Sequence, residues 1–163
     1  MLLLLVRHAD AGARDAGKWS DDTLRPLSEK GRKIHAKVAK ALGELGLLPE
    51  LVLTSPWLRA AQTAEILQQG LALASPPVPC LALASDPDLV ALDAALGPPR
   101  AEKAVVALVG HSPWMEELVG LLLTEAAHEL SVDFPKSKMA GIMADRIGPR
   151  AGTLRFFLRP KML

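Results

Sequence analysis

Tyrosine is absent from this 163-residue chain, and aromatic residues make up only 4% of it. Stacking platforms for single-stranded nucleic acid need several aromatic rings, so that class of function is disfavoured. Neither sign of charge is in surplus: 19 Lys and Arg stand against 18 Asp and Glu, a formal net charge of +1. Broad nucleic-acid binding wants a basic surface, and no nucleic-acid partner is expected. Cys80 is the single cysteine. It excludes an internal disulfide and is consistent with a reducing compartment. Its place in the apolar run Val78 to Leu83 reads as a small core residue rather than a thiol nucleophile. No apolar stretch reaches membrane-spanning length. The opening Met1 to Val6 lacks a basic leader and meets Arg7 too early for a signal peptide. A cytoplasmic protein with no membrane partner is expected. No Asp, Glu and His group has metal-ligand spacing, and no glycine-rich nucleotide loop is present. The expectation is therefore no metal and no cofactor.

What the chain does have is short apolar runs that end on charge. Leu2 to Val6 stops abruptly at Arg7-His8. A run so short reads as a buried strand, and in open α/β sheets ligands bind beyond the carboxyl ends of strands. A guanidinium there holds phosphate oxygens in a planar fork, and an imidazole can attack phosphorus. The second run, Val52 to Thr54, is followed by Ser55-Pro56, read as helix N-cap and first-turn residue. Arg59 then falls in the opening turn, where the helix dipole disfavours a cation unless an anion is near. The third run, Val105 to Val109, ends in Gly110-His111, with Ser112-Pro113 again read as a cap and first turn. Gly110 permits an unusual backbone angle or a close approach.

The alternation of apolar run and helical segment is that of an α/β sheet with crossover helices. The expected fold is a three-layer α/β/α sandwich on a mostly parallel sheet, one compact domain over residues 1–163 without a large cap insertion. Ser28 caps a first helix whose inward face is read as Ile34, Val38, Ala41, Leu42 and Leu45. A second helix runs from Pro56 to near Gly70 with Ala60, Ala64 and Leu67 as its stripe. Val78 to Leu83 is read as a third strand and Asp86 to Leu96 as a short helix. A helix from Pro113 turns Met115, Leu118, Val119 and Leu122 inward. A hairpin of Met139 to Asp145 and Thr153 to Leu158 closes the chain.

With these segments, the chain resembles the histidine phosphatase superfamily, the phosphoglycerate-mutase-like fold. The family's Arg-His-Gly reads here Arg7-His8-Ala9, with alanine in place of glycine. Its Ser-Pro-x-x-Arg-Ala-x-Gln-Thr-Ala segment is complete from Ser55 to Ala64, and its Gly-His matches Gly110-His111. The resemblance spans residues 1 to about 124. It implies that His8 is the nucleophile, that Arg7, Arg59 and a protonated His111 stabilise the phosphoryl group without a metal, and that water hydrolyses the phosphohistidine formed on His8. Arg25, in Arg25-Pro26-Leu27-Ser28, resembles a segment of the small phosphohistidine-phosphatase branch and is a substrate-binding candidate.

A general acid is harder to place. Larger relatives carry a carboxyl group after the third strand, where this chain offers Asp86 and Asp88. Asp86 is the general-acid candidate, with a helix N-cap as the competing role. Asp10 and Asp22 are further candidates for the acid, each read more readily as solvated, and His35 and His128 read as solvated. A weak acid matters less for phosphohistidine, whose imidazole leaving group has a reference pKa of ~6.5. Only residues 71–103 separate the second helix from the fourth strand, too few for a large cap, so the site should be shallow and open. The implied partner is a phosphorylated protein bearing phosphohistidine. A small phosphorylated metabolite, as for a phosphomonoesterase of the same superfamily, is the alternative. A mutase, which must hold and turn its product in an enclosed pocket, fits less well. A phosphate-binding module without turnover is the reading from another class. The oligomeric state is open.

Overall fold

The computed structural model describes residues 1–84, 88–98 and 100–162. Six strands form one sheet: β1 (Leu2–Arg7), β2 (Leu51–Thr54), β3 (Val78–Pro79), β4 (Val105–Gly110), β5 (Met139–Ala144) and β6 (Gly152–Leu158). Four helices accompany them: α1 (Glu29–Glu44), α2 (Leu58–Gly70), α3 (Leu89–Leu96) and α4 (Trp114–Leu123). The strand order is β3-β2-β4-β1-β5-β6. β3, β2, β4 and β1 run parallel, and β5 is antiparallel to both β1 and β6.

The central strands are apolar at nearly every position because both faces of the sheet are covered. Successive side chains point to opposite faces. Leu3 and Leu5 of β1 join Val106 and Leu108 of β4 in a core with Leu92 and Leu96 of α3 and Met115 and Leu118 of α4. Leu4 and Val6 join Ala107 and Val109 in the opposite core, with Val38 and Leu42 of α1 and Ala60, Ala64 and Leu67 of α2. Each fully buried leucine contributes roughly 2 kcal/mol of burial free energy, so β1 is held firmly from both sides. The three-layer sandwich expected from the sequence is the observed fold.

Four local expectations are corrected. The inward face of α1 is Gly31, His35, Val38, Ala39 and Leu42, and Leu45 is exposed. The hydrophobic pattern skipped a histidine and a glycine, which rotated the expected face. β3 is only two residues long, and the chain then turns into a 3-10 segment at Leu81–Leu83 that buries Ala82 and Leu83. Cys80 between them is buried, as read. Helices α2 and α4 begin two residues and one residue later than expected, capped at Trp57 and Pro113 with no side-chain hydrogen bond. α3 begins at Leu89, capped by Asp88, whose side chain accepts from the Ala91 N–H. Asp86, the expected start of that helix, lies outside the described residues.

Gly31 is required by packing. A Cβ there would lie 2.1 Å from the Asp10 carbonyl oxygen. Its absence lets the start of α1 press against the loop that leaves β1. Ser28 caps the helix by accepting from the Gly31 N–H and donates to Asp10, so the same contact fixes both segments.

Candidate active site

β1 and β4 lie side by side in register, Arg7 opposite Gly110. One residue beyond that pair, each strand delivers a histidine. The rings of His8 and His111 are 5.0 Å apart, centroid to centroid. Gly110 leaves room beneath them: a Cβ would lie 2.7 Å from the Met115 methyl. Ala9 has no positive φ, so alanine meets no backbone strain where the family pattern has glycine. Its side chain is buried against Ala11 and Leu27.

His8 is turned by its own neighbour. Its Nδ1 lies 2.7 Å from the Ala9 carbonyl oxygen. A carbonyl only accepts, so Nδ1 carries the proton and Nε2 keeps its lone pair. The Nε–H of Arg59 donates to that Nε2 at 3.3 Å. Burial is the main cause that lowers the His8 pKa to about 3, opposed by the Ala9 carbonyl and aided by Arg59, Arg7 and Lys136. The ring is neutral at physiological pH.

His111 corrects the expectation of a protonated second histidine. Burial first, then proximity to the His8 ring and to the Arg59 and Arg7 guanidinium groups, lowers its pKa to about 2. Its Nε2 lies 2.8 Å from the Ser55 hydroxyl, and its Nδ1 is buried without a partner. Ser55, expected as a helix cap, instead stands at the end of β2 against this ring.

Arg59 enters from the first turn of α2, buried. Its Nη1 donates to the Asp22 carbonyl at 2.8 Å, and its Nη2 lies 3.3 Å from the Asp22 carboxylate. The guanidinium lies over the Trp57 ring, 4.7 Å from its centroid, and the same ring packs on His111 at 4.5 Å. Arg7 donates from Nη1 to the Phe134 carbonyl at 2.7 Å, and its Nε is buried and unpartnered. The Gln-Thr pair of α2 clamps the β1 loop. Thr63 accepts from the Ala9 N–H at 3.0 Å and donates to the Arg59 carbonyl at 2.7 Å. Gln62 accepts from the Leu27 N–H at 2.9 Å.

The four residues singled out at strand ends, Arg7, His8, Arg59 and His111, thus line one cavity of about 370 Å³. Arg25 lines it too, but its hydrogen bonds go to protein: Nε to Asp22 at 2.8 Å, and Nη1 to the carbonyls of Ala11 and Gly12. Asp10 and Asp22 are not free solvated acids. Hydrogen bonds from Lys136 and Ser28 hold the Asp10 carboxyl at about 2. The bond from Arg25 holds Asp22 below the usual carboxylate range. Asp88 is spent on its helix cap. Asp86, the general-acid candidate, is outside the described residues. His128 is exposed, as read. His35 is fully buried, contrary to the solvated reading, with Nδ1 3.3 Å from the Ser137 hydroxyl. Among the described residues, no group of three metal-ligating side chains is close enough to hold an ion, and no helix is long and apolar enough to cross a membrane.

Trp57 and Lys136, which line the cavity, and Phe134, whose carbonyl anchors Arg7, were not read from the sequence. Trp57 follows Ser55-Pro56 and could have been noticed as the ring beside Arg59. Phe134 and Lys136 carry no local signal. They reach the site because β5 is antiparallel to β1, so the residues leading into β5 sit where β1 ends. The Ser137 N–H, 3.1 Å from the Arg7 carbonyl, ties that segment to the site.

The chain is similar to several known proteins. A profile of the histidine phosphatase superfamily (branch 1) matches residues 3–82. An uncharacterised protein of Picosynechococcus is 38% identical over 157 residues, which is 95% of this chain and 88% of the relative. The structure of the protein histidine phosphatase SixA with tungstate superposes with a TM-score of 0.81 at 28% identity, covering 99% of each chain. A protein of Agrobacterium tumefaciens assigned to the SixA phosphohistidine phosphatases gives a TM-score of 0.76 at 25% identity, covering 98% of this chain and 97% of the other.

Proposed function

The chain belongs to the histidine phosphatase superfamily, in its small SixA-like branch, and from that premise we propose that it removes phosphate from phosphohistidine on proteins, with His8 as the nucleophile. Membership makes it a phosphatase; the nucleophile and the substrate are the proposal. The carrying observation is the orientation of His8. Its Nδ1 proton is committed to Ala9, and its Nε2 lone pair stands beside the Arg59 Nε–H. That nitrogen attacks phosphorus, and the bond to the leaving nitrogen breaks as the new P–N bond forms.

Arg7 and Arg59 then stabilise the charge spread over the three equatorial oxygens. A dianionic phosphoryl group also opposes the burial and the neighbouring cations that keep His111 neutral. With that anion beside it, the His111 pKa rises, and the ring becomes a charged donor where charge develops. Neither step routes through a metal.

Three features favour a protein substrate. α3 is the one helix between α2 and β4 among the described residues. It buries Leu92 and Leu96 in the core, which commits it to the sheet rather than to a lid. The transfer between two imidazoles is nearly balanced in energy, because donor and acceptor share a reference pKa of ~6.5. The Arg25-Pro26-Leu27-Ser28 segment also supports this branch. A small phosphorylated metabolite remains the second reading.

The test is a steady-state comparison of a phosphorylated histidine protein, nitrophenyl phosphate and a sugar phosphate, each with excess chelator. The highest kcat/KM is expected on the phosphoprotein, and among esters on the one with the acidic leaving group. Asp86→Asn should cost little on phosphohistidine. Faster turnover of the sugar phosphate, with a large loss in Asp86→Asn, would select the metabolite reading. Loss of activity on chelation, restored by one divalent ion, would overturn the metal-free mechanism.

A further inference from the structure

The transfer to His8 is nearly balanced, but the second half of the cycle is not: water must lose a proton as it attacks the phosphohistidine. A carboxylate at the cavity is the natural acceptor. Asp10 is paired with Lys136 and Ser28. Asp22 is paired with Arg25 and Arg59. Glu116 accepts from the Ser112 hydroxyl and turns its other oxygen into the protein. Among the described residues, one carboxylate is left. Glu117 is the only acidic residue among the described residues that line the cavity, and its side chain forms no ion pair among them.

Its position follows from the helix. The Glu117 N–H donates to the Pro113 carbonyl at 3.0 Å, so Pro113 and Glu117 stack one turn apart on the same face of α4. Both line the cavity. That face rises from His111, on the β4 side, whereas Arg59 and Asp22 approach from α2 and the β1 loop. Glu117 is half-buried, so a proton taken there can pass on to solvent.

Resting on the reading of His8 as nucleophile, we propose that Glu117 is the general base for hydrolysis of the phosphoenzyme. The water oxygen forms its bond to phosphorus while the P–N bond breaks. The electron pair of that bond returns to His8 Nε2, and the water proton passes to the Glu117 carboxylate. Phosphate leaves, the proton leaves to solvent, and the starting state is restored. Running the same path in reverse lets Glu117 donate a proton to a poor leaving group in the first half-reaction.

The experiment loads enzyme with phosphoramidate, a small N–P donor, and follows phosphate on His8 by quenching in alkaline detergent, where the P–N bond survives. Glu117→Gln keeps shape and removes the base. The phosphoenzyme should form at close to the wild-type rate and decay roughly 100-fold more slowly, within the usual range for a lost general base, so that it accumulates at steady state. The decay should also lose its dependence on pH. Glu117→Asp should restore part of the decay rate. A merely structural role would slow formation and decay together and weaken vanadate binding, and that pattern would overturn the proposal. So would decay of Glu117→Gln at the wild-type rate. A wild-type enzyme that never carries phosphate on His8 would instead refute the nucleophile reading itself, so the two failures are distinct.

Discussion

The Nε–H of Arg59 lies 3.3 Å from Nε2 of His8, so the arginine that faces the phosphoryl group also touches the nitrogen that attacks it. In the free site this contact occupies the lone pair and adds to burial in keeping the ring unprotonated; it opens as phosphorus takes the place of the Arg59 N–H, which leaves the cation beside the oxygens. Arg59 is itself held by the Asp22 carbonyl and carboxylate and by the Trp57 ring.

Removal of the nucleophile should abolish turnover without unfolding the chain. His8→Ala is expected to lower kcat by on the order of a thousandfold or more. The wild type should carry acid-labile phosphate at His8 on rapid quench. Full activity in His8→Ala would refute the mechanism.

Arg59→Ala should weaken vanadate binding about 10- to 100-fold, the scale of a lost charge-assisted hydrogen bond. Arg59→Lys should recover little of it, because an ammonium is a point charge and cannot reproduce the fork. Titration of vanadate against each variant measures this. An Arg59→Ala variant that binds as tightly as the wild type would remove Arg59 from the phosphoryl site.

His35 makes stability depend on pH. Burial lowers its pKa from 6.5 to about 4. The unfolded chain therefore takes up a proton first as pH falls, and the unfolded state gains. The stability His35 contributes as a neutral ring is complete above pH ~6.5 and drains away as pH falls towards ~4. Chemical denaturation at intervals across that window should show the decline. In His35→Leu the slope at pH ~5 should flatten by about one proton. An unchanged slope would mean that His35 is not buried as described.

Gly31→Ala should destabilise the fold by roughly 1–3 kcal/mol, the usual cost of overpacking. Its added methyl meets a backbone carbonyl, that of Asp10, which cannot rotate away. Denaturant midpoints should fall, and kcat should fall with them, because the same loop carries Ala9 and the ring contact of His8. A midpoint equal to the wild type would show that the loop gives way freely.

Much of this was legible in the residues. β1 and β4 stood out because central parallel strands bury both faces and are apolar throughout, and each ends on the group it presents. Arg59 stood out because a cation in a first helical turn needs a reason. Other parts were hidden by physics that sequence spacing does not carry. Ser55 and Ser112 look like helix caps, yet their hydroxyls face His111 and Glu116. His35 looks solvated on a charged helix, yet faces the sheet. Arg7 is anchored by the Phe134 carbonyl, a contact between residues 7 and 134 that only the antiparallel entry into β5 creates.

The spacing of the two histidines has a last consequence. Their rings are 5.0 Å apart, close to the ~4.8 Å between neighbouring strands. The pair is thus ruled by the pitch of the sheet rather than by a loop. No segment has to fold over to bring the rings together, and little ordering entropy is spent when phosphate arrives. The site behaves as a fixed jaw, ready before its substrate, and the chemical step should be indifferent to solvent viscosity. By the same logic a one-residue deletion within β1 or β4 would be far more damaging than one in a surface turn. It would slide one histidine out of step with the other and turn every side chain of that strand to the opposite core.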